Sequence, residues 1–192
     1  PQQAAVPTAY SSETGRTYRL DRLIGKGGFG EVYLATPIPR EGLPEQVCVK
    51  ISDRLSAWLR EAYFAELLAR EPRALRVYDR FAEVDGQKMR YCLAMEYAQH
   101  GDLGAWLSKK GAQPERVVRR EIAAILIALD ALHKGQALHR DLTPFNVFVC
   151  EGKGPDDLRI TSPENARIEA IPASESEPDS YAIIRTARRL GV

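Results

Sequence analysis

The sequence lacks the features that mark several broad classes of protein. Its 27 basic and 26 acidic side chains leave a formal net charge of +1, which predicts no general affinity for nucleic acid or membrane surfaces. No apolar run approaches the roughly 18 residues that span a bilayer, and the first residues lack a signal-peptide pattern. Only three cysteines are present (Cys48, Cys92 and Cys150), without CxxC spacing, which favours neither a disulfide framework nor a zinc site. We therefore expect a reducing, cytoplasmic location.

What the chain does contain is enough apolar material for a folded core. Its 192 residues are 44% hydrophobic, which fits one domain or a small two-lobed one. Residues 1–17 are rich in Pro, Gln, Ser and Thr and predict a flexible lead-in. Alternating apolar and polar residues then predict antiparallel strands at 17–25 and 31–36, and β-branched residues predict a third strand at 46–52.

Helical patterns become more frequent further along the chain. A helix is predicted near 54–70, where Leu55, Trp58, Leu59, Ala62 and Ala65 recur on one side. Two strands flank an Asp-Gly turn at 85–86, and a short helix follows at 101–111, capped by Asp102 and stopped at Gly111. A long helix at 114–134 is apolar nearly all round and is therefore predicted to be buried. Strands first and helices later indicate a two-lobed α+β arrangement.

A glycine-rich segment, GKGGFGEV at 25–32, lies between the first two predicted strands. Glycines allow backbone amides to approach phosphates closely, because no Cβ intervenes. The same G-x-G-x-x-G spacing occurs in dinucleotide-binding folds, but there a helix follows, whereas here a strand follows. By itself the segment is equally compatible with a simple glycine-rich hairpin turn.

Two further motifs favour the phosphate-binding interpretation. Lys50 lies in the predicted strand VCVKI, and HRDLTPFN at 139–146 follows the long helix. Over residues 18–161 the chain resembles the eukaryotic-type (Hanks-type) protein kinases, in their bacterial serine/threonine form. The resemblance implies an α+β two-lobed fold, with a complete β-rich N-lobe and hinge at 18–98 and a truncated helical C-lobe at 99–161.

The resemblance also implies that ATP is the nucleotide. The glycine loop would cover it, Lys50 would hold its α- and β-phosphates, and Val32 and Val49 would form apolar surfaces for adenine. Met95 would be the gatekeeper, followed by a hinge at 96–98 and by Asp102 near the ribose. The residues implied for ATP are Gly25, Lys26, Gly27, Gly28, Phe29, Gly30, Val32, Lys50, Met95, Glu96 and Asp102.

The implied chemistry is phosphoryl transfer from Mg-ATP to a serine or threonine hydroxyl of a protein substrate. Asp141 would accept or orient the hydroxyl proton, and Asn146 would bind Mg2+. The partner of Lys50 is Glu61 or Glu66, which lie five residues apart on the predicted helix and therefore point in different directions. Register with the family favours Glu61, whereas Glu66 falls nearer the apolar side of the helix.

The chain departs from the family pattern in three ways. Thr143 stands where serine/threonine kinases usually carry a lysine, and residues 162–164 are Ser-Pro-Glu where Asp-Phe-Gly is expected. No Ala-Pro-Glu motif follows, the stretch 171–180 is acidic and rich in Ser and Pro, and we expect a divergent, poorly ordered tail at 162–192. We expect a truncated or frame-shifted kinase chain impaired in catalysis; the alternative is a non-catalytic module that binds a nucleotide or a partner. Oligomeric state has no sequence signal.

Overall fold

The computed structural model of the chain describes residues 6–28, 30–150 and 158–160, and the backbone of 167–168. Phe29 and, apart from those two backbone positions, the segment 162–192 lie outside the described residues. The chain divides into two compact units. The first runs as far as Ala62 and includes Arg76–Tyr97, and the second combines Tyr63–Leu75 with residues from Ala98 onward.

The first unit is built on one antiparallel sheet of six strands in the order β1-β2-β3-β4-β6-β5. Its strands are β1 (Thr8–Ser11), β2 (Arg16–Gly27), β3 (Gly30–Ile38), β4 (Val47–Ser52), β5 (Val77–Asp85) and β6 (Lys88–Glu96). The strands predicted at 17–25, 31–36 and 46–52 correspond to β2, β3 and β4. The hairpin of β5 and β6 turns at Gly86, whose φ of +63° explains the glycine there.

Strand β1 was not expected, because the composition of residues 1–17 predicted a flexible lead-in. That prediction is wrong for Thr8–Ser11, which pair with β2 along their whole length. Two side-chain contacts reinforce the pairing: the Tyr10 amide donates to Glu83 Oε2 (2.8 Å), and Thr14 Oγ1 donates to Asp79 Oδ2 (2.7 Å). Long-range contacts of this kind leave no local pattern in the sequence.

Strand alternation places the apolar core of the first unit on one face of the sheet. Tyr18 and Phe81 are buried there with their rings stacked at 5.6 Å between centroids. The Tyr18 hydroxyl donates to the buried carboxylate of Asp79 (2.9 Å). The residues of this core are Ala9, Tyr18, Leu20, Ala35, Val47, Val49, Phe81, Cys92 and Ala94.

Helix α1 (Leu55–Leu67) follows β4. It is fixed to the sheet by the indole of Trp58, which donates to the Cys92 carbonyl (2.9 Å). The prediction of its apolar side is only partly correct. Leu55 and Leu59 were placed on the same side as Trp58 by their helical spacing, but both are exposed. The buried side is rotated from the predicted one and includes Glu61, which an apolar pattern does not reveal.

Besides the end of α1, the described residues of the second unit form two helices and four short strands. They are α2 (Leu103–Lys110), α3 (Glu115–Lys134), β7 (Ala137–Leu138), β8 (Val147–Val149), β9 (Leu158–Ile160) and β10 (Arg167–Ile168). Helix α2 begins after Asp102, whose Oδ1 accepts from the Ala105 amide (2.8 Å), and ends at Gly111 with φ of +74°, as the sequence predicted.

Helix α3 is amphipathic rather than buried all round. Its buried side includes Val118, Ile125 and Leu132, whereas Leu126 and Ile127 are exposed, so the prediction of a fully buried helix is wrong. On the buried side Glu121 accepts from the Arg73 guanidinium (2.7 Å). The Arg73 carbonyl accepts from the Ile160 amide (2.8 Å), which joins this ion pair to β9.

Candidate active site

The glycine loop is the turn of the β2–β3 hairpin, and its glycines have different structural requirements. Gly30 has a φ of +129°, and a Cβ there would collide with the Ile51 carbonyl oxygen, so the fold itself requires glycine. A Cβ at Gly27 or Gly28 would meet no atom within 4 Å. Glycine at these two positions is therefore not a packing requirement, and the open backbone can receive a bulky anion.

Charged side chains flank the base of this loop. The Lys26 ammonium donates to Glu31 Oε1 (2.8 Å), and the Tyr33 hydroxyl donates to Glu31 Oε2 (2.7 Å). Lys26 is exposed, and the bond to Glu31 raises the pKa of its ammonium. Lys26 therefore stays a cation at neutral pH.

Lys50 is buried near the middle of the sheet. It lies in β4 opposite Val32 of β3 on one side and Leu93 of β6 on the other. Its ammonium donates to Glu61 Oε2 of α1 (2.8 Å), and the two residues are only 8% and 6% exposed. The position of the cation is therefore fixed by both a strand and a helix.

Of the two alternatives for the partner of Lys50, the structure pairs it with Glu61. Trp58, which anchors α1 to β6, precedes Glu61 by about one helical turn and shares its buried side, whereas Glu66 is exposed. Burial raises the pKa of the Glu61 carboxyl above its ordinary 4.5, and the Lys50 charge acts in the opposite direction. The geometry rather than the apolar pattern thus distinguishes the two glutamates.

The apolar side chains beside Lys50 differ from the predicted set in one position. Val32 lies directly opposite Lys50, so both point to the same face of the sheet. Val49 precedes Lys50 and lies in the core on the opposite face, so the prediction that it contacts adenine is wrong. Cys48, two residues before Lys50 and opposite Met95, is on the correct face. The two-residue period of the strand was the signal that could have identified it.

Two other residues predicted for ATP already make backbone or capping contacts. The Glu96 amide, at the end of β6, donates to the Arg76 carbonyl (2.8 Å) and is thus already used within the first unit. Asp102 uses Oδ1 to cap α2 and presents a second carboxylate oxygen. Gly25 is opposite Val32 in the hairpin and would accept a Cβ at ordinary contact distance.

In the second unit, Asp141 and Asn146 lie together. The Asn146 side-chain amide donates to the Asp141 carbonyl (2.8 Å) and to Asp141 Oδ2 (2.9 Å). The Asp141 amide donates to Nδ1 of the buried His139 (3.4 Å). Between them Arg140 has a φ of +60°, a conformation that costs roughly 1–2 kcal/mol for a residue with a side chain. Strain of this kind concentrates at functional sites.

The ends of the 139–146 loop are fixed by the core of the second unit. Leu138 and Leu142 are buried, and Val147 begins β8, which pairs with β9. Buried residues thus hold the loop against the core, while Asp141 itself is only half-buried.

Oxygen donors suitable for Mg2+ are present but few. Asn146 directs its amide nitrogen at Asp141, which leaves the amide oxygen Oδ1 as the donor for a cation. Within the described ranges, no group of three or more His, Cys, Asp or Glu side chains could hold a metal ion. The Asp141–Asn146 pair therefore fits Mg2+ only as a partial ligand set, which phosphate oxygens and water would complete, as is usual for this ion.

Comparison with known proteins identifies similarity along most of the chain. Residues 18–162 match the protein kinase domain family. The chain is 30% identical over 178 residues to "Serine/threonine-protein kinase SBK1" of Mus musculus, covering 88% of this chain and 41% of that protein. It is 38% identical over 143 residues to "Serine/threonine-protein kinase PknE" of Mycobacterium tuberculosis, covering 69% and 23% respectively. The chain thus spans less than half the length of these curated relatives.

In the part that the structure describes, no helix is long and apolar enough to cross a membrane.

Proposed function

The chain belongs to the protein kinase family, and on that premise we propose that it transfers the γ-phosphate of ATP to serine or threonine hydroxyls of proteins. The observation that carries this proposal is the buried Lys50–Glu61 ion pair. A buried ion pair is commonly no more stabilising than apolar residues of the same volume. The burial of Lys50 with Glu61 is therefore better explained by function than by stability. The adjacent glycine loop, in which the fold does not require every glycine, also suits a phosphate ligand.

In this proposal the residues of the first unit bind the nucleotide. Backbone amides of the glycine loop and the Lys50 ammonium bind the phosphates, and Val32, Cys48 and Met95 contact the adenine. Lys26 adds a second cation, because the triphosphate of ATP can compete with Glu31 for the Lys26 ammonium. Such fixed positive groups neutralise charge without reorganising during the reaction.

The residues of the second unit act on the protein substrate. Asp141 orients the substrate hydroxyl and accepts its proton as the oxygen forms a bond to the γ-phosphorus. The bond between that phosphorus and the β,γ-bridging oxygen breaks, and ADP leaves with the electron pair. Asn146 holds the Asp141 carboxylate in place and offers Oδ1 to Mg2+. When bound, Mg2+ neutralises charge on the phosphate oxygens.

Two features of the sequence predict a low rate. Thr143 provides no cation where the family carries a lysine, and Ser-Pro-Glu at 162–164 provides no aspartate where a metal ligand is expected. A hydroxyl cannot replace the charge of an ammonium at a phosphate. The replacement of the expected Asp-Phe-Gly by Ser-Pro-Glu at 162–164 also supports the alternative function, a non-catalytic module that binds a nucleotide or a partner.

Transfer of radioactive phosphate from γ-labelled ATP to the chain and to serine/threonine peptides separates the two functions. We expect slow incorporation that both Asp141→Asn and Lys50→Met abolish, while the exposed control Glu66→Gln retains it. Incorporation that survives Asp141→Asn would contradict the proposed chemistry. If no phosphate is transferred but ATP raises the melting temperature of the wild type and not of Lys50→Met, the binding-module function is correct.

We also place the protein in the cytoplasm, in bacterial signalling, with proteins rather than nucleic acids as partners. Three buried thiols, without a cysteine pairing pattern in the sequence, are consistent with a reducing compartment. The near-zero net charge is consistent with the absence of nucleic-acid binding. Fractionation of cells with an antibody to the chain tests the location.

A further inference from the structure

The outer side of helix α3 carries apolar side chains that remain exposed in the described part of the chain. Leu126 and Ile127 are 46% and 62% exposed, and Ala123, one turn earlier, is also exposed. Residues three or four positions apart share one side of a helix, so these three side chains form an apolar patch about halfway along α3. Single exposed apolar residues need no explanation, whereas a contiguous patch favours a surface that binds another segment.

The same side of α3 is basic towards its N-terminal end. Arg116 and Arg119 are exposed and continue the helical spacing of the apolar patch. Glu115 pairs with Arg119 (2.6 Å), but both side chains are mostly in water, so this pair is weak and open to competition. Lys109 and Lys110, the last residues of α2, are exposed and precede α3 closely. This end of the surface therefore has more cations than anions.

The backbone of β10 approaches the other end of α3. It pairs antiparallel with β7, with Ile168 opposite Ala137 and Arg167 opposite Leu138. Strand β7 begins only three residues after α3 ends. Because the pairing is antiparallel, a chain that leaves Ile168 is directed back towards Gln136 and the C-terminal end of α3.

The sequence that follows β10 matches the two parts of this surface in order. Residues 170–173 are Ala-Ile-Pro-Ala. Residues 174–180 are Ser-Glu-Ser-Glu-Pro-Asp-Ser, with three acidic side chains and no basic one. The apolar residues thus come first along the chain, as the apolar patch does along α3 from its C-terminal end, and the acidic residues come second, as the arginines do.

The lengths also agree. Ile127 and Arg119 lie about 10 Å and 22 Å from the end of α3, at 1.5 Å per helical residue. A peptide in an extended conformation advances about 3.3 Å per residue, so Ile171 reaches about 10 Å and Glu175 about 23 Å from Ile168. The segment is therefore long enough to place an apolar residue on the patch and acidic residues on the arginines.

We infer that the segment 170–180 of this chain docks along the outer side of α3, with its apolar residues on the apolar patch and its acidic residues on Arg116 and Arg119. The tether at Ile168 holds the segment at a high effective concentration, so exposed ion pairs that are individually weak are sufficient for docking. The inference concerns an interaction surface and does not depend on phosphate transfer.

The test uses the full chain with a fluorophore attached at Ser180→Cys, at the end of the acidic residues. The native thiols are buried, so a thiol-reactive dye labels only the introduced thiol. Docking restricts the motion of the dye and therefore raises its anisotropy. Arg116→Glu/Arg119→Glu, the α3 variant, should lower the ratio of docked to undocked chains at least about fivefold, because repulsion replaces two ion pairs. Its anisotropy should fall accordingly, and that of the wild type should fall as salt screens the same charges.

A matched control makes the same change of net charge elsewhere. Arg22→Glu/Arg40→Glu alters two exposed arginines of the first unit and should leave the anisotropy unchanged. Glu175→Arg/Glu177→Arg changes only the acidic residues and should lower the anisotropy as much as the α3 variant does. Combining it with the α3 variant should restore part of the loss, since opposite charges again face each other. If the α3 variant fails to fold, Glu175→Arg/Glu177→Arg and its control decide the result.

The apolar half of the surface has its own test. Ile127→Asp should lower the anisotropy, whereas Leu55→Asp, at a comparably exposed leucine of α1, should not. Equal anisotropy in the wild type and all variants overturns the inference, as does an equal loss in the Arg22→Glu/Arg40→Glu control. Anisotropy that falls on dilution shows that the segment binds a second copy of the chain, and this result overturns docking within one chain. A chain that transfers no phosphate gives the same readings, so failure of the proposed function is distinguishable from failure of this inference.

Discussion

Removing the Glu61 carboxylate should destabilise the first unit strongly, because it leaves the Lys50 ammonium buried without this partner. Lys50 is 8% exposed and its ammonium lies 2.8 Å from Glu61 Oε2. Breaking a buried ion pair by removing one partner costs about 3–5 kcal/mol, a large part of the 5–15 kcal/mol that stabilises a typical domain. Glu61→Ala should therefore lower the free energy of unfolding by about 3 kcal/mol or more.

Urea denaturation measures this effect, read as a shift of the midpoint at constant slope. The exposed Glu66→Ala on the same helix is the control, and we expect it to change stability by less than about 0.5 kcal/mol. The double variant Lys50→Met/Glu61→Leu should be more stable than Glu61→Ala, since it leaves no buried charge at the pair. Equal losses in Glu61→Ala and Glu66→Ala would refute this account of the pair.

The same pair predicts a pH dependence. Because burial raises the pKa of the Glu61 carboxyl above 4.5, the folded chain binds this proton more tightly than the unfolded chain does. The contribution of Glu61 to stability is therefore complete below pH 4.5 and decreases as the pH rises through the folded-state pKa. Stability of the wild type relative to Glu61→Gln should fall as the pH rises from roughly 4 to 7. A rise over that range would show that the Lys50 charge outweighs burial.

Three further predictions concern other parts of the chain. Gly30→Ala should cost at least about 2 kcal/mol in urea denaturation, because its Cβ collides with the Ile51 carbonyl of β4. Gly27→Ala should change stability by less than about 0.5 kcal/mol and weaken ATP binding in calorimetry. Equal stability losses in the two variants would contradict the different roles assigned to these glycines. In urea denaturation Asp79→Ala should lower stability by about 2–3 kcal/mol, because the buried Tyr18 hydroxyl and the exposed Thr14 hydroxyl both lose their acceptor, and Asp79→Asn should cost less. Burial raises the pKa of the Cys48 and Cys92 thiols to about 12, so neither should react with a thiol reagent at pH 8 until urea unfolds the chain.

Much of the fold was predictable because it is encoded locally. Period-two alternation defined β2 and β3, β-branched residues defined β4, an Asp-Gly turn defined the β5–β6 hairpin, and capping residues defined both ends of α2. The candidate site was predictable where the motif fixes residue type and spacing, as for Lys50, Asp141 and Asn146. Their contacts in the structure follow from strands and loops that the motif already implied.

The errors occurred where a distant part of the chain decides the outcome. Strand β1 depends on Asp79 and Glu83, which lie more than sixty residues away. The buried side of α1 is set by the Trp58 bond to β6 and includes a glutamate, so counting apolar residues placed Leu55 on the wrong side. The assignment of Val49 to adenine is a different kind of error, because the local two-residue period of the strand already places Val49 on the face opposite Lys50.

Strand β1 also bears on how the chain avoids self-association. An edge strand with unpaired backbone groups is a template for pairing with other molecules. β1 and β5 are the two edge strands of the six-stranded sheet, yet they lie side by side. The Tyr10 amide of β1 donates to Glu83 of β5, and the Thr8 carbonyl accepts from the Arg90 guanidinium of β6 (3.2 Å). The segment 6–17, outside the family-matched region, thus shields both edges at once, and its deletion should expose β2 and β5 to strand pairing between molecules.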